Sequence, residues 1–211
     1  MLRKETVSQS TLELLTILMN DKELQDFFLV GGTALSLQIG HRISIDLDFF
    51  TASPFDDNEL LGYLEKTYQF QLDYQSKNTL KGQINSVKVD FITHGYPLVK
   101  PLIIDETVRM AGPEDISAMK LNAISGNGTR LKDFIDMAYL SSKLTLSQMV
   151  EAYAHKYSSR NPVMVVKSLG YHQDINFTEP IEMIAGKYTW KSIEKRLKLM
   201  IQYPQRLFEE M

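Results

Sequence analysis

Residues 27–50, FFLVGGTALSLQIGHRISIDLDFF, constrain the fold more than any other stretch of the chain. Phe27 to Val30 read as a short buried strand, Gly31-Gly32 break it, Thr33 to Gln38 read as a turn or two of helix, and Ser44 to Phe50 alternate like a second strand. A strand that runs through glycines into a helix N-terminus exposes backbone N–H groups. The glycines let a ligand approach closely, and the Thr33 hydroxyl and the first helical N–H groups are candidates to receive phosphate oxygens. With a strand period of two, Ser44, Asp46 and Asp48 share one face, while Ile45, Leu47 and Phe49 share the other and are expected to face a core.

Two carboxylates on one strand face repel unless a cation lies between them, and a hard divalent ion with oxygen ligands suits them. Mg²⁺ is the obvious candidate, with Mn²⁺ as its substitute. An anion seat followed by a carboxylate pair is what metal-assisted transfer from a nucleoside triphosphate (NTP) needs. Each half alone has a bland reading: Gly-Gly-Thr as a turn, and Asp-x-Asp as a solvated strand face.

The two halves together resemble the Gly-Gly/Ser and Asp-x-Asp signature of the nucleotidyltransferase superfamily, the polymerase-beta-like fold. The fuller string GGTALSLQIGHRISIDLDFF is similar to the AbiEii/MenT type of nucleotidyltransferase toxin. A second stretch some eighty residues on, PEDISAMKLNAISGNGTRLKDFIDMAYL, resembles the second half of the same family, in which a Pro-Glu-acid helix start, an inward Lys, an Arg and an Arg/Lys-Asp-x-x-Asp helix recur in this order. The resemblance spans roughly residues 28–140.

The remaining chain is read in order. Ser10 and Glu13 form a capping-box pattern opening a helix with Leu12, Leu15, Ile17, Leu18 and Met19 as its apolar face. Asp56 or Asp57 can cap a helix to about Lys66. Tyr68–Gln75, Thr79–Ile84 and Ser86–Thr93 read as strands, the last two joined by a tight turn at Asn85. A short strand at Leu102–Ile104 precedes a helix opened by Pro113 and running to about Ser125. In that helix Ile116, Met119, Ala123 and Ile124 form a stripe that also contains Lys120, which either snorkels or meets an anion. Thr129 can cap a helix over residues 130–142, where Asp133 and Asp136 share a face that, from spacing alone, reads as solvated. Further helices are expected at Leu146–Tyr157, Pro162–Leu169 and Tyr188–Phe208.

These elements give an α/β (α+β) architecture. Residues 1–110 would form a nucleotidyltransferase core with a mixed sheet flanked by helices, and residues 111–211 a helical C-terminal part closing the cleft. The chain has 211 residues, enough for a full core, a formal charge of −3 and a pI near 5.8. The balance makes no global case for nucleic-acid binding, although residues 120–167 and 187–198 are locally basic. The absence of cysteine excludes disulfides, thiolate nucleophiles and Cys-ligated zinc. The four histidines show neither a zinc-binding pair nor a triad arrangement. No signal-peptide core and no membrane span is legible, which reads as a cytoplasmic protein.

The family resemblance assigns roles. It implies that Asp46 and Asp48 hold the metal, with Asp90, on a neighbouring strand, as a third ligand or as the base. It places Gly31, Gly32, Thr33, Arg42 and Ser44 around the nucleotide. Lys120 would neutralise the triphosphate, with Asp133 nearby and Asp136 as the essential helix carboxylate. The implied reaction moves a nucleoside monophosphate to RNA, particularly a tRNA end, in a toxin–antitoxin or phage-defence pair with a cognate antitoxin. The alternatives are a small-molecule nucleotidyltransferase of the aminoglycoside-modifying kind and a nucleotide-binding module without turnover.

Overall fold

The computed structural model describes residues 1–211 and divides into two compact units. The first comprises residues 1–40, 44–97 and 102–111; the second comprises residues 41–43, 98–101 and 112–211.

The first unit is a seven-stranded mixed sheet in the order β3-β4-β5-β2-β1-β7-β6. Its strands are β1 (Phe28–Val30), β2 (Leu47–Thr51), β3 (Gln71–Ser76), β4 (Thr79–Ile84), β5 (Val87–Thr93), β6 (Ile103–Asp105) and β7 (Val108–Met110). Helices α1 (Gln9–Asn20), α2 (Gly31–Ile39) and α3 (Asp57–Tyr68) pack on it. In β5 and β2 the alternation works as read: Val87, Val89 and Phe91, and Leu47 and Phe49, are buried. The β4–β5 turn places Asn85 and Ser86 at φ 50° and 66°, the left-handed pair that a two-residue hairpin requires. A second hairpin, β6–β7, replaces the single strand expected at Leu102–Ile104, and β7 runs parallel to β1.

The cap of α1 is Ser8, whose Oγ accepts the Thr11 N–H at 3.1 Å. Ser8 is extended, as a cap must be, whereas Ser10 already lies inside the helix. Ile17 is consequently exposed, and Thr11 and Leu14 join the buried face. The strand after the glycines begins at Leu47 and not at Ser44: its ladder with β1 ends at Val30↔Asp48 and its ladder with β5 at Leu47↔Val89, so residues 44–46 have no ladder partner. Ile45 is therefore 65% exposed and faces no core.

The second unit is helical: α4 (Pro113–Gly126), α5 (Leu131–Leu140), α6 (Leu146–Lys156), α7 (Pro162–Leu169) and α8 (Trp190–Gln202). Helix α4 packs against α5, α6 and α7, and α5 packs against α8. Pro113 sits in the first turn of α4, and Thr145 and Gln148 make a full capping box on α6. Arg130, not Thr129, occupies the cap position of α5 and makes no side-chain cap; the Thr129 carbonyl instead accepts the Asn176 N–H at 2.8 Å. Helix α8 stops at Gln202 because Pro204 disfavours helical backbone at Tyr203. On α4 the buried face is Ile116, Ser117, Lys120, Leu121 and Ile124, with Met119 and Ala123 half-buried.

Candidate active site

In the first unit, β2 and β5 run parallel with Asp48 opposite Asp90. Parallel neighbours in register project to the same face, so these two carboxylates stand side by side on the sheet. Both are half-buried, as is Asp46 one residue ahead of β2. Across the next ladder Lys81 is opposite Asp90, and its Nζ donates to Asp90 Oδ2.

The turn from β1 into α2 is shaped around Asp48. Gly31 has φ 74°, and a Cβ on it would lie 2.3 Å from Asp48 Oδ2. Only glycine accepts both that backbone and that closeness. A carboxylate thus lies against the positive end of α2, where the helix dipole favours it. Gly32 continues the same turn, and Thr33, 1% exposed, has its hydroxyl hydrogen-bonded to the Asp46 carbonyl and, at 2.9 Å, to Ser44 Oγ. Thr33 and Ser44 are both buried, and their hydroxyls are bonded to the protein itself.

The donor set of Asp46, Asp48 and Asp90, all carboxylate oxygens with some solvent access, fits a hard divalent cation. It is not a ready-made cage, since no group of three or more His, Asp or Glu side chains is arranged to hold a metal ion. At Asp90 the Lys81 ammonium supplies positive charge.

In the second unit the remaining candidates meet in one buried network. Arg42 grips Asp136 with two parallel bonds, Nε to Oδ1 at 2.7 Å and the terminal nitrogen to Oδ2 at 2.9 Å. Lys120 Nζ lies 2.6 Å from Asp136 Oδ2 and 2.6 Å from Asp133 Oδ1. His41 Nε2 donates to Asp136 Oδ1 at 2.8 Å, since a carboxylate only accepts. Two buried cations face two buried carboxylates, with the exposed Arg130 3.7 Å from Asp133 at the rim. Burial alone would raise the Asp136 pKa, but the Arg42 guanidinium and the Lys120 ammonium hold it well below the carboxylate range. Burial works against Lys120 and Arg42 as well, yet the facing carboxylates keep both charges favourable and their pKa values raised. For His41 burial outweighs the attraction of Asp136 and pushes its pKa down, so the ring is neutral.

Asp133 and Asp136 are therefore not on a solvated face, being 2% and 0% exposed. The signal was in their neighbours: Leu131, Phe134, Ile135, Met137, Ala138 and Leu140 make α5 apolar around most of its circumference, and acids in such a helix must be paired. Sequence reasoning missed His41 as a member of the network. Asp115, in the first turn of α4, belongs to a second buried pair. Asp115 is fully buried, accepts the Val99 and Lys100 N–H groups at 3.1 Å, and pairs with buried Lys156 at 2.7 Å. The segment His41–Ile43 is further held by an antiparallel bridge, Ile43 N–H to the Glu182 carbonyl at 2.8 Å and Ile184 N–H to the His41 carbonyl at 3.1 Å.

The chain is 34% identical over 183 residues to an uncharacterized protein of Aquifex aeolicus (strain VF5), covering 84% of this chain and 87% of that one. Among solved structures, a crystal structure from H. pylori assigned to a nucleotidyltransferase superposes with a TM-score of 0.58 at 19% identity, covering 94% of this chain and 96% of that one. JHP933 from Helicobacter pylori superposes with a TM-score of 0.53 at 18% identity, covering 94% and 93%. These two share the fold, the mixed sheet with its helices. No helix is long and apolar enough to cross a membrane. Residues 13–204 match the family model described as nucleotidyl transferase AbiEii toxin, Type IV TA system, and the chain belongs to that nucleotidyltransferase family.

Proposed function

We propose that the protein transfers a nucleoside monophosphate from an NTP to an acceptor hydroxyl, with RNA, particularly the end of a tRNA, as acceptor, and that it acts in the cytoplasm as a toxin paired with a cognate antitoxin. The observation that carries the reading is the register of Asp48 beside Asp90, next to the Gly31-Gly32-Thr33 entry into α2. Asp46 and Asp48 would hold the divalent cation, Mg²⁺ or Mn²⁺, whose chemistry there is neutralisation of charge on the triphosphate and its leaving group. The N–H groups of the first turn of α2 would seat the phosphates. Asp90, released by Lys81, takes the acceptor proton or adds a third ligand to the cation. Lys120 is 6% exposed and paired with both Asp133 and Asp136, so to neutralise a triphosphate it would have to give up one of them. Arg42 and Asp136 then act by keeping that lysine charged and in place.

A second reading, transfer to a small cationic acceptor, is favoured by one observation. A cavity of about 370 Å³ in the first unit is lined by Glu23, Asp26, Asp56 and Glu59 together with Phe27, Phe55 and Tyr63. Its β2 contribution is Thr51, three residues and about 10 Å along the strand from Asp48, which sets it apart from the carboxylates. RNA therefore stays first.

The test is incubation with Mg²⁺, each α-³²P-labelled NTP and total bacterial RNA, with Asp46→Asn as control. Labelled RNA that depends on Asp46 is the expected result. Label appearing only in a small-metabolite extract would replace the RNA reading with the second one, and no label from either would leave a binding module.

A further inference from the structure

We propose that Thr33 is a positioning residue that pins Asp46 through its backbone, rather than a seat for phosphate. The inference rests on the reading of Asp46 as an active-site carboxylate.

Asp46 lies where the sheet cannot hold it. The β1 ladder ends at Val30↔Asp48, and the β5 ladder begins at Leu47↔Val89. Packing does not hold it either, because the preceding side chain, Ile45, is exposed. Two contacts replace them. The Ser44 N–H donates to the Thr6 carbonyl at 2.8 Å, and the Thr33 hydroxyl bonds to the Asp46 carbonyl. Thr33 is a firm anchor, buried in the first turn of α2 and followed by the fully buried Ala34 and Leu35.

The hydrogen count commits that hydroxyl. A carbonyl oxygen only accepts, and the Thr33 hydroxyl is also the donor toward Ser44 Oγ, so its single hydrogen is shared between two protein acceptors. Thr33 has no hydrogen left for a phosphate. The same turn of helix also backs the Asp48 carboxylate through Gly31. Gly31-Gly32-Thr33 thus references both motif acids to one rigid element, which is how a site gains positional precision.

The experiment compares Thr33→Val, which keeps the shape and loses the hydroxyl, with Thr33→Ser, which restores the hydroxyl. Hydrogen exchange of the residue 44–47 amides, kcat and KM for the NTP, and thermal midpoints are measured on the full-length protein. Thr33→Val is expected to speed exchange in that segment and lower kcat by about a hundredfold, the scale of a misplacement near 1 Å, with KM within about twofold. Thr33→Ser should bring exchange and kcat back toward wild type. A raised KM with kcat intact would instead make the hydroxyl a phosphate ligand and overturn the proposal. So would a serine variant as poor as the valine one, or a lowered thermal midpoint with exchange and kcat unchanged. Should the valine variant not fold, the Thr33 hydroxyl proton of the wild-type protein decides by NMR: slow exchange with water is required, and fast exchange refutes the pin. Absence of transfer in wild type would sink the reading of the site, while the exchange data would still judge the pin.

Discussion

Substituting Asp136→Asn tests the buried network where it is most loaded. The side chain is fully buried and carries Arg42, Lys120 and His41 at once. The amide keeps the shape but removes the charge, so Arg42 is left buried without a counterion while Lys120 keeps only Asp133. Breaking a buried pair from one side costs about 3–5 kcal/mol. For a chain of this size that is a fall in thermal midpoint of about 6–20 °C, at about 2–4 °C per kcal/mol. The pH dependence has a definite sign. The folded pKa of Asp136 is depressed, so its contribution is present above the unfolded carboxylate value near 4 and is lost as pH falls through the lower folded value. The part of the stability gap that comes from the Asp136 charge should therefore narrow below about pH 4. Urea and thermal unfolding of wild type, Asp136→Asn, Arg42→Met and the double variant give the full cycle. The double variant should be less destabilised than the sum of the singles, because removing Arg42 removes the stranded charge. A midpoint change under about 2 °C, or strict additivity, would refute the claim that Asp136 is the electrostatic keystone of the unit.

The other expectations are simpler. Asp46→Asn and Asp48→Asn should abolish transfer in the labelling assay with little loss of thermal stability, since each relieves repulsion; a large loss would make these acids structural. Gly31→Ala forces a Cβ against the Asp48 carboxylate at φ 74° and should destabilise by more than about 1 kcal/mol and cut transfer, as read by urea midpoint and kcat. His41 has a depressed folded pKa, so wild-type stability should decline as pH falls below about 6.5, where the unfolded chain takes up the proton first. The same pH series on His41→Gln should be flatter between pH 7 and 5, and an equal slope would remove His41 as its source.

Local chemistry carried much of this protein into view. The two strands and the tight turn at Asn85 were legible because strand period and turn geometry depend on residues within reach of one another, although Ser86, read as the first strand residue, is the second turn residue. Pro113 and Pro162 marked helix starts for the same reason. The strand at Ser44–Asp46 failed because alternation needs a partner to be realised, and the ladders with β1 and β5 stop at Asp48 and Leu47. The β6–β7 hairpin was missed because three-residue strands hold too little pattern.

What the sequence by itself determined is the strand–glycine–helix–strand motif with its two aspartates, the mixed α/β and helical elements, and the family to which they belong. What only the tertiary structure decided is the pairing of charges. Asp48 meets Asp90 across 42 residues through sheet register, and Asp136 meets His41 and Arg42 across 95 and 94 residues. Sequence spacing says which face a charge occupies on its own element. Whether that face meets water, a lysine or another carboxylate depends on which elements pack against it, and burial then turns a surface acid into one that must be paired.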